Sequence, residues 1–226
     1  MSVQESNPSS PRFLKKREMI VDAAADLINL NGVKGLTFVD VAQAVDLNTT
    51  SITYYFKRKE LLAAAAFVRS IEHIENMVTI AGTEATPRAR VRKYLALNFD
   101  YRARVRRKED RPVTVLSDLR ALEDPLRAEL FVRYQDVFRK VRDFFGDSAS
   151  ETETSKKLNI ARAQVLTENL YWLPVWLNQY SVGDFDRVQD RLFDVFENGI
   201  AGPDARWAPT SLAVDEEFAR VRNVET

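Results

Sequence analysis

Thr49, Thr50, Ser51 and Thr53 place four short hydroxyl side chains within five residues, and Tyr54, Tyr55 and Lys59 follow closely. Hydroxyls of this length, on the outer side of a short helix, can reach base edges or a thymine methyl without holding the helix away from a DNA groove. The phenols and the ammonium suit phosphate oxygens, contacts that fix register but carry no sequence information. Thr37 and Asn48 each precede a short apolar pattern, where a side-chain oxygen can accept a backbone N–H at a helix start. The chemistry offered is therefore non-covalent recognition of double-stranded DNA. The plainer reading of the same stretch is a helical corner with exposed threonines. Agreement among the turn, the two apolar anchors, the aromatic pair and the run Lys59-Glu60-Leu61-Leu62 favours DNA.

Covalent chemistry is poorly provided for. The chain has no cysteine, which removes thiolate metal sites, cysteine nucleophiles and disulfides. Its single histidine, His73, reads as a surface or packing residue, because a metal site wants several such ligands and a serine hydrolase needs a histidine base. No glycine-rich phosphate loop is present. No enzyme activity, metal or cofactor is expected. The balance of 33 basic and 33 acidic residues counts mildly against DNA binding unless charge is segregated along the chain. No apolar run reaches the roughly 18 residues of a membrane span, and the polar N-terminus has no secretory pattern. With no cysteine, these features fit a cytoplasmic protein.

The elements that would position these residues are helical throughout. Leu14 to Asn31 has an apolar face that includes Met19, Ile20, Ala23, Ala24, Leu27, Ile28 and Leu30, and Gly32 stands where a helix end favours glycine. A second helix spans about Thr37 to Ala44, with Val41, Ala42 and Val45 inward. Asp46-Leu47-Asn48 makes the turn, and a third helix covers about Thr49 to Phe56, anchored by Ile52 and Phe56. Further helices are expected over Lys59 to about Ala81, Arg88 to about Lys108, and Pro112 to Leu122. Asp124-Pro125 reads as a cap and first turn for a helix running to Phe145. After a polar loop at residues 146–155 come Lys156–Tyr180 and Phe185–Asn198. The fold class is all-α with about nine helices.

Residues 14–62 resemble the TetR family of one-component bacterial regulators, through the alanine-rich first helix, Gly32, Thr37, Val41-Ala42, Tyr55-Phe56 and Lys59. Two positions depart from the family pattern: Thr50 stands where glycine is frequent and Thr53 where tyrosine is usual, so the operator sequence does not carry over. The resemblance implies a homodimer on a palindromic operator, with half-sites about one helical turn apart or a multiple of it. It also implies a variable C-terminal domain that binds a small effector, and a repressor that the effector releases. The domains expected are a disordered tail at 1–11, a helix-turn-helix DNA-binding domain at 12–58, and an effector-binding and dimerisation domain at 59–226. The alternative is a constitutive DNA-binding protein of the same fold with no effector.

For the C-terminal domain, the aromatic residues are the pocket candidates: Tyr94, Phe99 and Tyr101 on one helix, Tyr134 and Phe138 on a second, Tyr171, Trp172 and Trp176 on a third. Asn98 and Asn169 could anchor polar groups. Pro174 should kink the third helix and open space beside it. By family analogy the last two helices form the dimer surface, using Leu192, Phe193, Val195, Phe196 and Ile200. The basic run from Arg88 to Arg111 admits two readings. One is a solvated face paired with acids elsewhere, such as those after Gly146; the other turns Arg102 or Arg106 inward to hold an anionic effector.

Overall fold

The computed structural model describes residues 10–146 and 152–199. Eight α-helices and three short 3-10 helices account for the regular structure there, with no strand among the described residues. The described residues fall into two units divided after Phe193.

Local chemistry sets most helix starts. Helix α1 (Pro11–Gly35) begins with Ser10, whose hydroxyl accepts the Phe13 N–H, and with Pro11 in the first turn; residues 1–9 of the expected tail lie outside the described residues. Thr37 caps α2 (Phe38–Ala44), Asn48 caps α3 (Thr49–Tyr55) and Thr86 caps α5 (Pro87–Arg106). Between α3 and α5 runs α4 (Lys59–Gly82), which packs on α1, α5 and α6 (Leu126–Arg142) and so forms the spine of the first unit. Its buried face carries Leu62, Ala63, Ala66, Phe67, Ile71 and Val78. Helices α7 (Glu153–Trp176) and α8 (Phe185–Asn198) complete the order.

Four expectations need correction. Residues 112–122 are not one helix: only Leu116–Ala121 forms a 3-10 helix. The three β-branched residues after Pro112 are stiff at χ1, and their backbone groups bond to other helices. Asp124 is not a cap, because its carboxylate holds Arg127 at 2.7 Å, and Pro125 itself occupies the cap position of α6. Helix α7 starts before Lys156 because Thr152 accepts the Ser155 N–H, and it gives way after Trp176 to a 3-10 turn at Leu177–Gln179, two residues past Pro174. Met19 and Leu30 of α1 face outward, since the buried arc is narrower than the apolar one. Half of the loop at 146–155 (147–151), Ile200 and the segment beyond it lie outside the described residues.

Candidate DNA-reading face and internal cavity

The turn between α2 and α3 is fixed by its own polar groups. Thr37 Oγ1 accepts the Asp40 N–H and donates to Asp40 Oδ2 at 2.6 Å, closing the first turn of α2. Asn48 Oδ1 accepts both the N–H and the hydroxyl of Ser51, at 2.7 and 2.8 Å. Ile52 and Phe56 are buried below α3, so the opposite side must face out. Thr49, Thr50 and Tyr54 are exposed there, and Ser51, Thr53 and Tyr55 are half-buried. The Thr53 hydroxyl donates to the Thr50 carbonyl at 2.9 Å, leaving its oxygen to accept.

Helix α1 supports this face from behind. Phe13 packs on Tyr55 with ring centroids 4.7 Å apart and on Tyr54 at 6.0 Å, while the Arg17 guanidinium sits over the Phe56 ring. The basic start of α1, with Arg12, Lys15, Lys16 and Arg17, is therefore carried beside the end of α3. Lys59, expected at phosphate, has its ammonium against the carbonyls of Lys34 and Leu36 at 3.4 and 3.3 Å. It ties the start of α4 to the end of α1, and Phe13 is a support the sequence reading missed. Phe13 carried a signal, an aromatic one turn ahead of Arg17 at the start of a basic helix.

A strap, residues 111–118, non-helical up to Val115 and then entering the 3-10 helix at Leu116, joins this module to the helices behind it. The Asn29 amide on α1 brackets the strap, donating to Val113 O at 3.0 Å and accepting the Val115 N–H at 2.8 Å. Asp118 Oδ2 accepts the Val33 N–H at 3.0 Å, just past the break in α1 at Gly32. Gly32 has φ 71° and ψ 168°, a region only glycine occupies freely, and a Cβ there would stand 2.9 Å from Asp118 Oδ2. On the inner side, Ser70 Oγ accepts the Thr114 N–H, and Tyr101 accepts the Val113 N–H while donating to Arg111 O.

The strap's inner side, α4, α5, α6 and α7 enclose a cavity. Its free volume is ≈ 70 Å³. Met77, Val137, Val141 and Leu170 give it an apolar wall, and Tyr94, Asn98, Tyr101, Arg102, Tyr134, Phe138 and Tyr171 stand there as the sequence placed them. The other four pocket candidates are not in its lining. Phe99 is buried against Trp176 and Phe185, Asn169 Nδ2 bonds the Val165 carbonyl, and Trp172 is 54% exposed beside Tyr171. Pro174 does line the cavity.

Four side-chain atoms among the described residues are buried without a hydrogen-bond partner: His73 Nε2, Arg102 Nε, Thr114 Oγ1 and Thr167 Oγ1. All four residues line this cavity. Each such atom costs about 1–3 kcal/mol when left unmatched, a large share in total of a net stability of roughly 5–15 kcal/mol. His73 is thus no surface residue: it packs against Tyr101 with ring centroids 4.1 Å apart and presents Nε2 inward. Burial pushes its imidazole below the ordinary 6.5, Asp110 opposes this, and Arg102, Arg104 and Arg69 add to it. Burial likewise lowers the Arg102 guanidinium. A lone histidine on an amphipathic helix carries no sequence signal for this placement.

The basic helix resolves into distinct roles. Arg92, Arg104, Arg107 and Arg111 pair with Asp190, with Asp100 and Asp110, with Glu109 and with Asp22. These acids lie on α8, on the basic helix, just after it and on α1. Arg106 is held by the carbonyls of Leu177 and Tyr180 and by Asn178 Oδ1. Arg102 enters none of these ion pairs. Among the described residues no cluster of His, Cys, Asp or Glu could hold a metal, and no helix is long and apolar enough to cross a membrane.

Comparison with known proteins agrees with this geometry. The family model described as bacterial regulatory proteins, tetR family, matches residues 20–66. The chain is 33% identical over 91 residues to the HTH-type transcriptional regulator BetI of Paraburkholderia phymatum, across 38% of this chain and 44% of that protein. It thus spans under half the length of the curated relatives it matches. A TetR-family regulator from Bordetella parapertussis superposes with a TM-score of 0.68 at 18% identity, over 85% of this chain and 98% of that one. AibR, solved in complex with isovaleryl coenzyme A and operator DNA, superposes with a TM-score of 0.62 at 17% identity, over 80% and 97%. At these identities the superpositions speak to the fold.

Proposed function

We propose that this chain, whose residues 20–66 match the tetR family model, is a homodimeric TetR-family transcriptional repressor released from a palindromic operator by a small apolar or amphipathic effector. Residues 12–58 read DNA in this scheme, and the helices from residue 59 onward bind the effector and the second subunit. The outward hydroxyls of Thr49, Thr50, Ser51 and Thr53 read bases. Tyr54, Tyr55 and the basic start of α1 take phosphates, with Thr37 and Asn48 at the two helix starts. Lys59 acts at phosphate or by holding α1 in place.

The observation that carries the effector half is the strap. Val113, Thr114, Val115 and Leu116 line the cavity, while the same segment is bonded to Asn29 and Val33 at the end of α1. A molecule that displaces the strap therefore moves the helix on which α2 and α3 stand. A coupling of about 1–3 kcal/mol would change operator affinity roughly 5- to 150-fold. Support for the second subunit comes from α7, where Leu158, Val165, Trp172 and Val175 are 50–62% exposed along one stripe at seven-residue and three-residue steps.

The test is selection of bound duplexes from a randomised pool, followed by affinity measurements across salt. The expected result is an inverted repeat bound with a steep salt dependence. Small molecules added to that complex should then release it. Equal binding to all duplexes, or an operator complex that no ligand disturbs, would favour the constitutive DNA-binding protein instead.

A further inference from the structure

We infer that the cavity is built for a compact apolar acid, with Arg102, Thr114, Thr167 and His73 converging on its carboxylate. This rests on the effector reading above and names the chemical class of the effector.

The four orphaned atoms come from four separate elements: His73 from α4, Arg102 from α5, Thr114 from the strap and Thr167 from α7. Helical neighbours on one element are brought together by periodicity alone, but convergence from four elements on one cavity is a property of the tertiary fold. Each of the four can donate a hydrogen bond. Arg102 can only donate, each threonine hydroxyl can donate, and the imidazole donates from Nε2 in one tautomer or when charged. The complement of such a set is a group rich in acceptors, and a carboxylate offers two oxygens with about four lone-pair sites.

Charge points the same way. Among the described residues Arg102 forms no ion pair, whereas Arg92 and Arg104 of its own helix and Arg107 and Arg111 just after it each have an acid. Its guanidinium lies over the Tyr101 ring at 5.1 Å, and the His73 imidazole packs on the same ring at a tilt of 49°. A buried cation without an anion is costly, and an anionic occupant supplies one. The rest of the wall is apolar and aromatic, through Met77, Tyr134, Val137 and Leu170, so the body of the occupant is apolar too. The ≈ 70 Å³ of free space limits it to a short or single-ring skeleton unless side chains move.

The test uses the full-length protein without any histidine tag. Benzoate, phenylacetate and hexanoate are titrated by calorimetry beside benzamide, phenylacetamide and hexanamide, which match them in shape and lack the charge. At least one acid is expected to bind ten-fold or more tighter than its amide, and Arg102→Gln should remove that preference. Thr167→Val, which keeps the side-chain shape, should weaken the acid and spare the amide, and it guards against misfolding of the arginine variant. His73 is the only histidine in the chain, so its imidazole proton resonance reports on the site without ambiguity. Its pKa, now lowered by burial and by Arg102, Arg104 and Arg69 against Asp110, should rise when the acid binds.

Equal binding of acids and amides, no binding of any acid, or an acid preference that survives both substitutions would overturn the inference. Operator release is scored separately on the wild-type protein. Release by neutral compounds alone would keep the effector reading and sink the acid. Acids that bind with the expected preference yet leave the operator complex intact would keep the acid site and sink the effector reading.

Discussion

Replacing Gly32 by alanine should destabilise the protein by about 2.5–6 kcal/mol, from two separable sources. The first is backbone: at φ 71° and ψ 168° an L-residue is strained by about 1–3 kcal/mol whatever surrounds it. The second is the contact with Asp118. The new Cβ would lie 2.9 Å from Oδ2, so the carboxylate must withdraw, and it then loses the 3.0 Å bond from Val33 N–H. A hydrogen bond to a charged group is worth about 1.5–3 kcal/mol. For a chain of this size each kcal/mol shifts the melting midpoint by roughly 2–4 °C, so a fall on the order of 10 °C is expected. Thermal melts followed by circular dichroism measure it, and the double mutant with Asp118→Ala separates the sources. In the Asp118→Ala background, Gly32→Ala should cost only the backbone share. A single mutant that melts within 2 °C of wild type would refute the strain argument. An unchanged cost in the Asp118→Ala background would refute the contact.

The remaining predictions concern the reading face, the apolar stripe and the buried histidine. Lys59→Ala should weaken binding to all duplexes alike and also lower the melting midpoint, because Nζ holds two carbonyls at the end of α1; Thr53→Ala should instead change preference among operators. Gel shifts on a randomised operator library distinguish them, and identical profiles would remove the assigned roles. Trp172→Glu, in the middle of the exposed α7 stripe, should turn dimers into monomers in sedimentation velocity with helical content unchanged. The folded-state pKa of His73 lies below its unfolded value of 6.5, so its contribution to stability is present above that value and lost as pH falls through it toward the folded pKa. Melting midpoints should therefore decline between pH 7.5 and 5.5, and His73→Phe should flatten the decline.

The helix-turn-helix was legible in the sequence because its determinants are local. Thr37 and Asn48 cap helices through atoms three residues away, and Ile52 and Phe56 bury one turn apart. The cavity was legible only in part. Tyr94, Asn98 and Arg102 share one face of α5, and that face turned inward. On α7 apolar residues occur on all sides, so the pattern cannot say which side meets the core. Thr167 and Leu170 face in, and Trp172 faces out. The strap was read as helix because residues 112–122 include apolar spacing compatible with one. What decides its shape is Asn29, Ser70 and Tyr101, at least ten residues away in sequence and invisible to any local pattern.

The bonds of the strap also give its response a direction. On the cavity side it is pinned from within by Ser70, whose hydroxyl is itself anchored to the Ala66 carbonyl, and by the Tyr101 hydroxyl. On the α1 side the Asn29 bonds are exposed, where water competes for the same groups and each bond is worth less. Asp118 adds a charged bond to Val33 beside the one residue in α1 with a non-helical conformation. A force from the cavity thus meets bonds to α4 and α5 on the inner side and, towards α1, two exposed bonds to Asn29 and one charged bond at Val33. Displacement of Thr114 should accordingly be spent at the end of α1, at the Gly32 break, and not on the packed spine. The Lys59 ammonium, resting on the carbonyls of Lys34 and Leu36, couples that same end to the start of α4. In the proposed function, the last turn of α1 is therefore where an occupant of the cavity would act on the position of α3.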